Sequence, residues 1–218
     1  MARRKIKTRW GDRQGRRRDI LAAGRQLLER DGYAGLSMRA VADLAAVSPG
    51  TVYTYLSGKE ELFAVLYAER LELLERELRE HAFVPARSGE DVLVALMERY
   101  FEVYALFGRE IDLWSGQSDV GPLPAEAAER VVAAGLAVIS TVRGALERFD
   151  PDLASAPQMD LAVPLVWASL NGLAEHFSGA RQALHPHSRA ELTTFAAQVL
   201  LAGIRATLRL PESTTTRV

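Results

Sequence analysis

Apolar residues recur along this chain at intervals of three and four, and no stretch alternates strictly between apolar and polar. That periodicity predicts an all-α protein. A first helix is expected over residues 16–31, where Ile20, Leu21, Ala23, Leu27 and Leu28 form one stripe. Gly24 falls in the same stripe, where glycine costs up to about 1 kcal/mol against alanine. Close approach of a neighbouring helix is the reason to keep it. Gly32 ends the helix. Ser37 caps a short helix over 38–45, with Met38, Val41, Ala42 and Ala45 facing inward. After a tight turn at 46–48, Ser48 caps a third helix that ends near Leu56. Pro49 sits at its first position, where the missing N–H costs nothing.

A fourth helix is expected from Lys59 to about Ala82, with Glu72/Arg76 and Glu75/Arg79 in the i,i+4 order of an exposed face. "FVPARSG" (83–89) then breaks the chain. Further helices are expected near 90–107, 110–116, 125–149, 158–183 and 188–210. The pattern divides the chain into a flexible arm (1–15), a small helical domain (16–62, its connecting helix reaching about 82), a larger helical domain (83–210) and a disordered tail (211–218).

Charge sharpens the division. Residues 1–60 hold 13 Lys/Arg against 6 Asp/Glu, net +7, and the remainder holds 14 against 22, net −8. A basic front on an acidic body points to a polyanion as partner of the front end. Arg3, Arg4, Lys5, Lys7 and Arg9 make the arm a candidate contributor, with the minor groove as a route for it. No apolar segment follows them as in a signal peptide, and the longest apolar run, "LAVPLVWASLNGLA", falls short of a membrane span. With no cysteine there is no disulfide or thiolate site, and a cytoplasmic setting is expected.

The short third helix carries the densest chemistry. Two short helices joined by a tight turn make a helix-turn-helix. Val41, Leu44, Ala45, Val47, Val52 and Leu56 can pack inside it. Pro49, Gly50, Thr51, Tyr53, Thr54 and Tyr55 are then left outside or partly outside. Such groups suit a major groove: a methyl and hydroxyl for base edges, phenols for phosphates. The alternative is a small hairpin whose tyrosines only pack, and the charge asymmetry favours the first.

Residues 17–62, "RRDILAAGRQLLERDGYAGLSMRAVADLAAVSPGTVYTYLSGKEEL", resemble the N-terminal DNA-binding region of the TetR family of bacterial repressors. Gly32 and Tyr33 match the family's glycine-aromatic pair. Ser37, Met38, Arg39, Val41 and Ala42 match its second helix. Val47, Ser48, Gly50, Thr51, Tyr53, Tyr55 and "KEEL" follow in register. Ala46 stands where the family has a turn glycine, Leu56 where it has phenylalanine, and Gly58 where it has the serine that caps the fourth helix. The first two changes read as conservative. The resemblance implies that Arg39 reads a base edge and that Ser48, Pro49, Gly50, Thr51, Tyr53, Tyr55 and Lys59 contact DNA. Lys59 is the only lysine beyond residue 7.

For the rest of the chain the resemblance implies a ligand cavity, and a homodimer through the last two helices on a palindromic double-stranded operator. The residues permit this. The 158–183 segment is apolar nearly all round between Leu161 and Ala174, so it needs burial on more than one side. Its partner carries small residues for close approach, and two such pairs make a four-helix interface. Tyr100, Tyr104, Phe107, Trp114, Trp167 and Asn171 are the candidate lining for a small, mostly apolar effector. Repression is the family's usual mode. No catalytic constellation is visible, and the His185-Pro186-His187 run reads as a loop, so neither an enzyme, a bound metal nor a cofactor is expected.

Overall fold

The computed structural model describes residues 12–108, 123–152 and 159–208. Its α-helices are α1 (Arg13–Gly35), α2 (Met38–Ala45), α3 (Pro49–Tyr53), α4 (Lys59–Glu77), α5 (Gly89–Phe107), α6 (Ala125–Glu147), α7 (Met159–Ser178) and α8 (Arg189–Leu208). There is no strand among the described residues. Residues 1–11 of the expected arm, the helix at 110–116, Trp114 and the tail lie outside the described residues, while residues 13–15 of that arm are helical.

Most boundaries fall within a few residues of expectation, and the departures have local causes. The 16–31 helix begins earlier because Asp12 caps it, its carboxylate accepting the Gly15 N–H at 2.7 Å. It breaks at Gly32 (φ 65°, ψ −172°), and three further residues follow before Leu36. The third helix stops at Tyr53, because the Thr54 hydroxyl donates to the Gly50 carbonyl and the Tyr55 N–H closes a tight turn on Val52. Leu56 is still buried, as a core residue beyond the helix end.

The expected 59–82 helix is α-helical only to Glu77. A π-helical turn, Leu78–Ala82, finishes it, and the Phe83 N–H reaches back to the Leu78 carbonyl. A wider turn brings residues five apart closer to one face. It thereby buries both Leu78 and Phe83. The 158–183 segment is α7 followed by a 3₁₀ turn, Ala180–Leu184, after Gly179.

Packing groups the described residues into two compact units, those up to 71 with those between 106 and 135, and those between 72 and 105 with those from 136 on. α4, α5 and α6 each contribute residues to both. In the first unit α2 packs on both α1 and α3, and α1 meets the start of α4 at Leu62 and Phe63; Ile20, Leu28, Val41, Val52, Leu62 and Phe63 are buried there. Gly24 is there for space. A β-carbon on it would stand 2.9 Å from a Leu62 methyl, and Leu62 is fully buried. In the second unit a β-carbon on Gly89 would stand 3.2 Å from Leu201 and 3.3 Å from Leu146, close but less tight. There Arg205 ties α8 to the chain on either side, donating to Asp150 at 3.0 Å and to Glu90 at 2.7 Å.

Candidate nucleic-acid interface and ligand cavity

Capping side chains shape the α2–α3 pair. The Ser37 hydroxyl accepts the Ala40 N–H at 3.2 Å. At the other end of α2, Ala46 turns left-handed (φ 56°, ψ 42°), and the Val47 N–H closes on the Ala42 carbonyl at 3.0 Å. Ser48 then opens α3. Its Oγ accepts the Thr51 N–H at 3.1 Å and lies 2.8 Å from the Thr51 hydroxyl. One inward row, Val41, Ala42, Ala45, Val52 and Leu56, is buried.

Everything polar on the pair is left at or near the surface. Arg39, Ser48, Pro49, Gly50 and Tyr53 are exposed, Tyr53 at 56%. Thr51, Tyr55 and Lys59 are half-buried. Arg39 has no carboxylate partner among the described residues, so its five donors face solvent. A β-carbon on Gly50 would meet only the Ser48 hydroxyl, at 3.9 Å, so nothing within this chain requires glycine there. Gly58 offers no side-chain cap to α4, and the Glu61 carboxylate accepts the Ser57 N–H at 2.5 Å. The Lys59 ammonium lies 3.7 Å from the centre of the Tyr33 ring. That partnership is not visible in the sequence, because 26 residues separate the two.

The second unit holds a partly open apolar cavity of about 50 Å³. Leu93 and Leu96 of α5 and Val138, Val142 and Leu146 of α6 form part of its wall. Met159, Val163, Val166, Trp167 and Leu170 of α7, with Leu201 and Ile204 of α8, form the rest. Arg143 is the one charged lining residue, and it pairs with Asp160 at 3.0 Å. Apart from Trp167, none of these positions stands out in the sequence as lining, since a cavity wall and a core have the same helical spacing.

The sequence-predicted lining is partly gathered here. Trp167 is in the wall, the Tyr100 ring meets it edge-on at 5.2 Å, and the Tyr100 hydroxyl donates to Asn171 Oδ1 at 2.5 Å. Asn171 in turn donates to the Trp167 carbonyl at 3.1 Å. Tyr104 is buried. Phe107 belongs to the first unit, packed on Phe63 and Tyr67 at 5.2 Å from each. His176 and His185 face each other with ring nitrogens 2.6 Å apart. Among the described residues no three His, Asp or Glu are placed to hold a metal ion. None of the described helices is long and apolar enough to cross a membrane.

Comparison with known proteins places this geometry. Residues 20–66 match the family described as bacterial regulatory proteins, tetR family. An uncharacterised HTH-type transcriptional regulator of Mycobacterium tuberculosis is 44% identical over 52 residues, which span 24% of each chain. The chain thus matches about a quarter of that relative's length. An uncharacterised HTH-type regulator of Bacillus subtilis is 24% identical over 161 residues, 70% of this chain and 83% of its own. Among solved structures, the transcriptional regulator FadR from Bacillus subtilis, in complex with stearoyl-CoA, is similar with a TM-score of 0.59. It is 15% identical, and the likeness covers 86% of this chain and 98% of that one. The fatty acid degradation regulator FadR from Bacillus halodurans scores 0.57 at 18% identity, over 91% and 99%. At such identities the structures speak for the fold. The 20–66 match falls on the same residues whose caps, turn and exposed face are described above, so this segment is similar to the region that the model of the tetR family of bacterial regulatory proteins describes.

Proposed function

We propose that the protein is a ligand-responsive transcriptional repressor. A homodimer binds a palindromic operator through α2, α3 and the first residue of α4. A small, mostly apolar effector in the second unit releases it. Acting on chromosomal DNA places it in the cytoplasm.

The observation that carries this reading is the double character of α7 and α8. Val163, Val166, Trp167 and Leu170 of α7 line the cavity, while Leu161 and Leu165 stand 77% and 54% exposed on the same helix. On α8, Leu201 and Ile204 face the cavity, while Phe195 and Val199 are 62% and 51% exposed. Small residues continue those exposed faces, with Ala168 and Gly172 on α7 and Ala202, Gly203 and Ala206 on α8. A two-fold axis there would bury both faces in a four-helix interface.

The cavity of about 50 Å³ has room for a few water-sized groups. An effector of ordinary size therefore has to part the helices around it. Two of those helices are the ones proposed to pair with the partner, so ligand entry and dimer geometry are linked. Stearoyl-CoA, bound by the Bacillus subtilis FadR, makes acyl compounds the first effectors to try.

The test begins with selection of binders from a random duplex pool. Enrichment of a palindrome is expected, with affinity falling steeply as salt rises. No enrichment, or an affinity insensitive to salt, overturns the reading.

A further inference from the structure

We infer that Tyr33 is a positioning residue for DNA binding: its ring holds the Lys59 ammonium in place, with the charge intact, for the phosphate backbone. This rests on the proposed function, in which Lys59 meets a phosphate.

The arrangement starts at Gly32. A β-carbon there would meet nothing within 4 Å, so glycine is not needed for space. It is needed for φ 65°, which breaks α1 and turns Tyr33 out of the helical path. Tyr33 is half-buried, its ring edge-on to Phe63 at 4.8 Å and 72°. Phe63 is fully buried and so a fixed support. Lys59 and Phe63 are four apart on α4, hence on one face. The Tyr33 ring covers that face, touching Phe63 with its edge while the Lys59 Nζ sits 3.7 Å from its centre.

The nature of the partner matters. A carboxylate would also order a lysine, but it would cancel the charge that a phosphate needs. An aromatic face orders the ammonium through its quadrupole and leaves the charge in place. Glu60 and Glu61 are the nearest carboxylates in sequence, yet Lys59 has no carboxylate partner among the described residues, and Glu61 is turned to the Ser57 N–H. Lysine is long and flexible, and ordering it before contact lowers the cost of docking. This gives the Gly32-Tyr33 pair and Lys59, far apart in sequence, a common purpose.

The experiment measures affinity for the selected duplex across salt concentrations for Tyr33→Leu, Lys59→Gln and the double variant, with thermal unfolding of each. Lys59→Gln should weaken binding and lower the salt slope by roughly 0.9 per half-site. Tyr33→Leu should weaken binding about two- to fivefold per half-site while Lys59 is present. It should do nothing further in the Lys59→Gln background. A series of fluorinated phenylalanines at position 33 keeps the shape while draining the ring face, and covers the case in which Tyr33→Leu does not fold. Affinity should fall along that series. Equal weakening by Tyr33→Leu in both backgrounds, or a flat fluorine series, would leave Tyr33 a packing residue and overturn the inference alone. A Lys59→Gln variant with unchanged affinity and slope would remove the phosphate contact itself.

Discussion

Ala46 closes α2 at φ 56°, ψ 42°, where a β-carbon costs roughly 1–2 kcal/mol. Judged by side-chain size, alanine for glycine at this turn reads as conservative; judged by the backbone, it is strained. Ala46 is exposed, so glycine would lose no packing there. Glycine adds freedom to the unfolded chain, which offsets part of the relief. Ala46→Gly is expected to raise stability by about 0.5–1 kcal/mol, read as a higher urea midpoint at unchanged slope. The Ser37 and Ser48 caps, by contrast, were legible, because each bonds an N–H three residues on. The service of Tyr33 to Lys59 was not, since it depends on where α1 meets α4.

At the scale of elements, α8 depends on a charged tie as well as its apolar face. Arg205 donates to both Asp150 and Glu90. Burial pushes the Glu90 carboxyl up, but its own backbone N–H, Arg205 and Ser88 outweigh that and hold it below the ordinary carboxylate value. A carboxylate depressed in the folded state adds stability at pH values above its unfolded pKa. That contribution disappears as pH falls through the ordinary range toward the folded value. Arg205→Met should therefore cost stability at neutral pH, about 1 kcal/mol after discount for solvent screening. It should also shrink the loss on acidification below about pH 4.5. Urea unfolding of both proteins at pH 7 and pH 3.5 checks this, and an unchanged difference between the two pH values would contradict it. The π-turn after α4 was unreadable in sequence, since Leu78 and Phe83 fit an α-helical stripe poorly and only their common burial reveals the wider turn.

At the scale of the whole molecule, dimerisation and effector response should be separable by mutation. Leu165 is more than half exposed, so Leu165→Glu should leave the protomer folded while placing a charge in the proposed interface. The expected result is a monomer by light scattering at micromolar concentration, with operator affinity lost. A dimer of unchanged strength would move the interface elsewhere. We propose that α4, whose 19 residues span roughly 29 Å, carries the effector response to the reading head, and a second prediction tests this. Half-sites about 34–36 Å apart tolerate little displacement of the reading heads. An acyl effector that lowers operator affinity must itself bind more weakly, by the same factor, when operator is present; coupled systems typically show about 5- to 150-fold. Trp167 fluorescence with and without operator reports this, and equal affinities would show that the ligand is no inducer.

By itself the sequence determined what short-range physics decides: helical periodicity, the caps at Ser37 and Ser48, Pro49 at a helix start, and the basic front end. It also set the expectation that α7 is buried on more than one side; in the protomer Leu161 and Leu165 stand exposed, and only the proposed partner would cover them. Tertiary structure decided which apolar residues wall a cavity and which stand exposed, since both kinds share one helical spacing. It gathered Tyr100, Trp167 and Asn171 and placed Phe107 in the other unit.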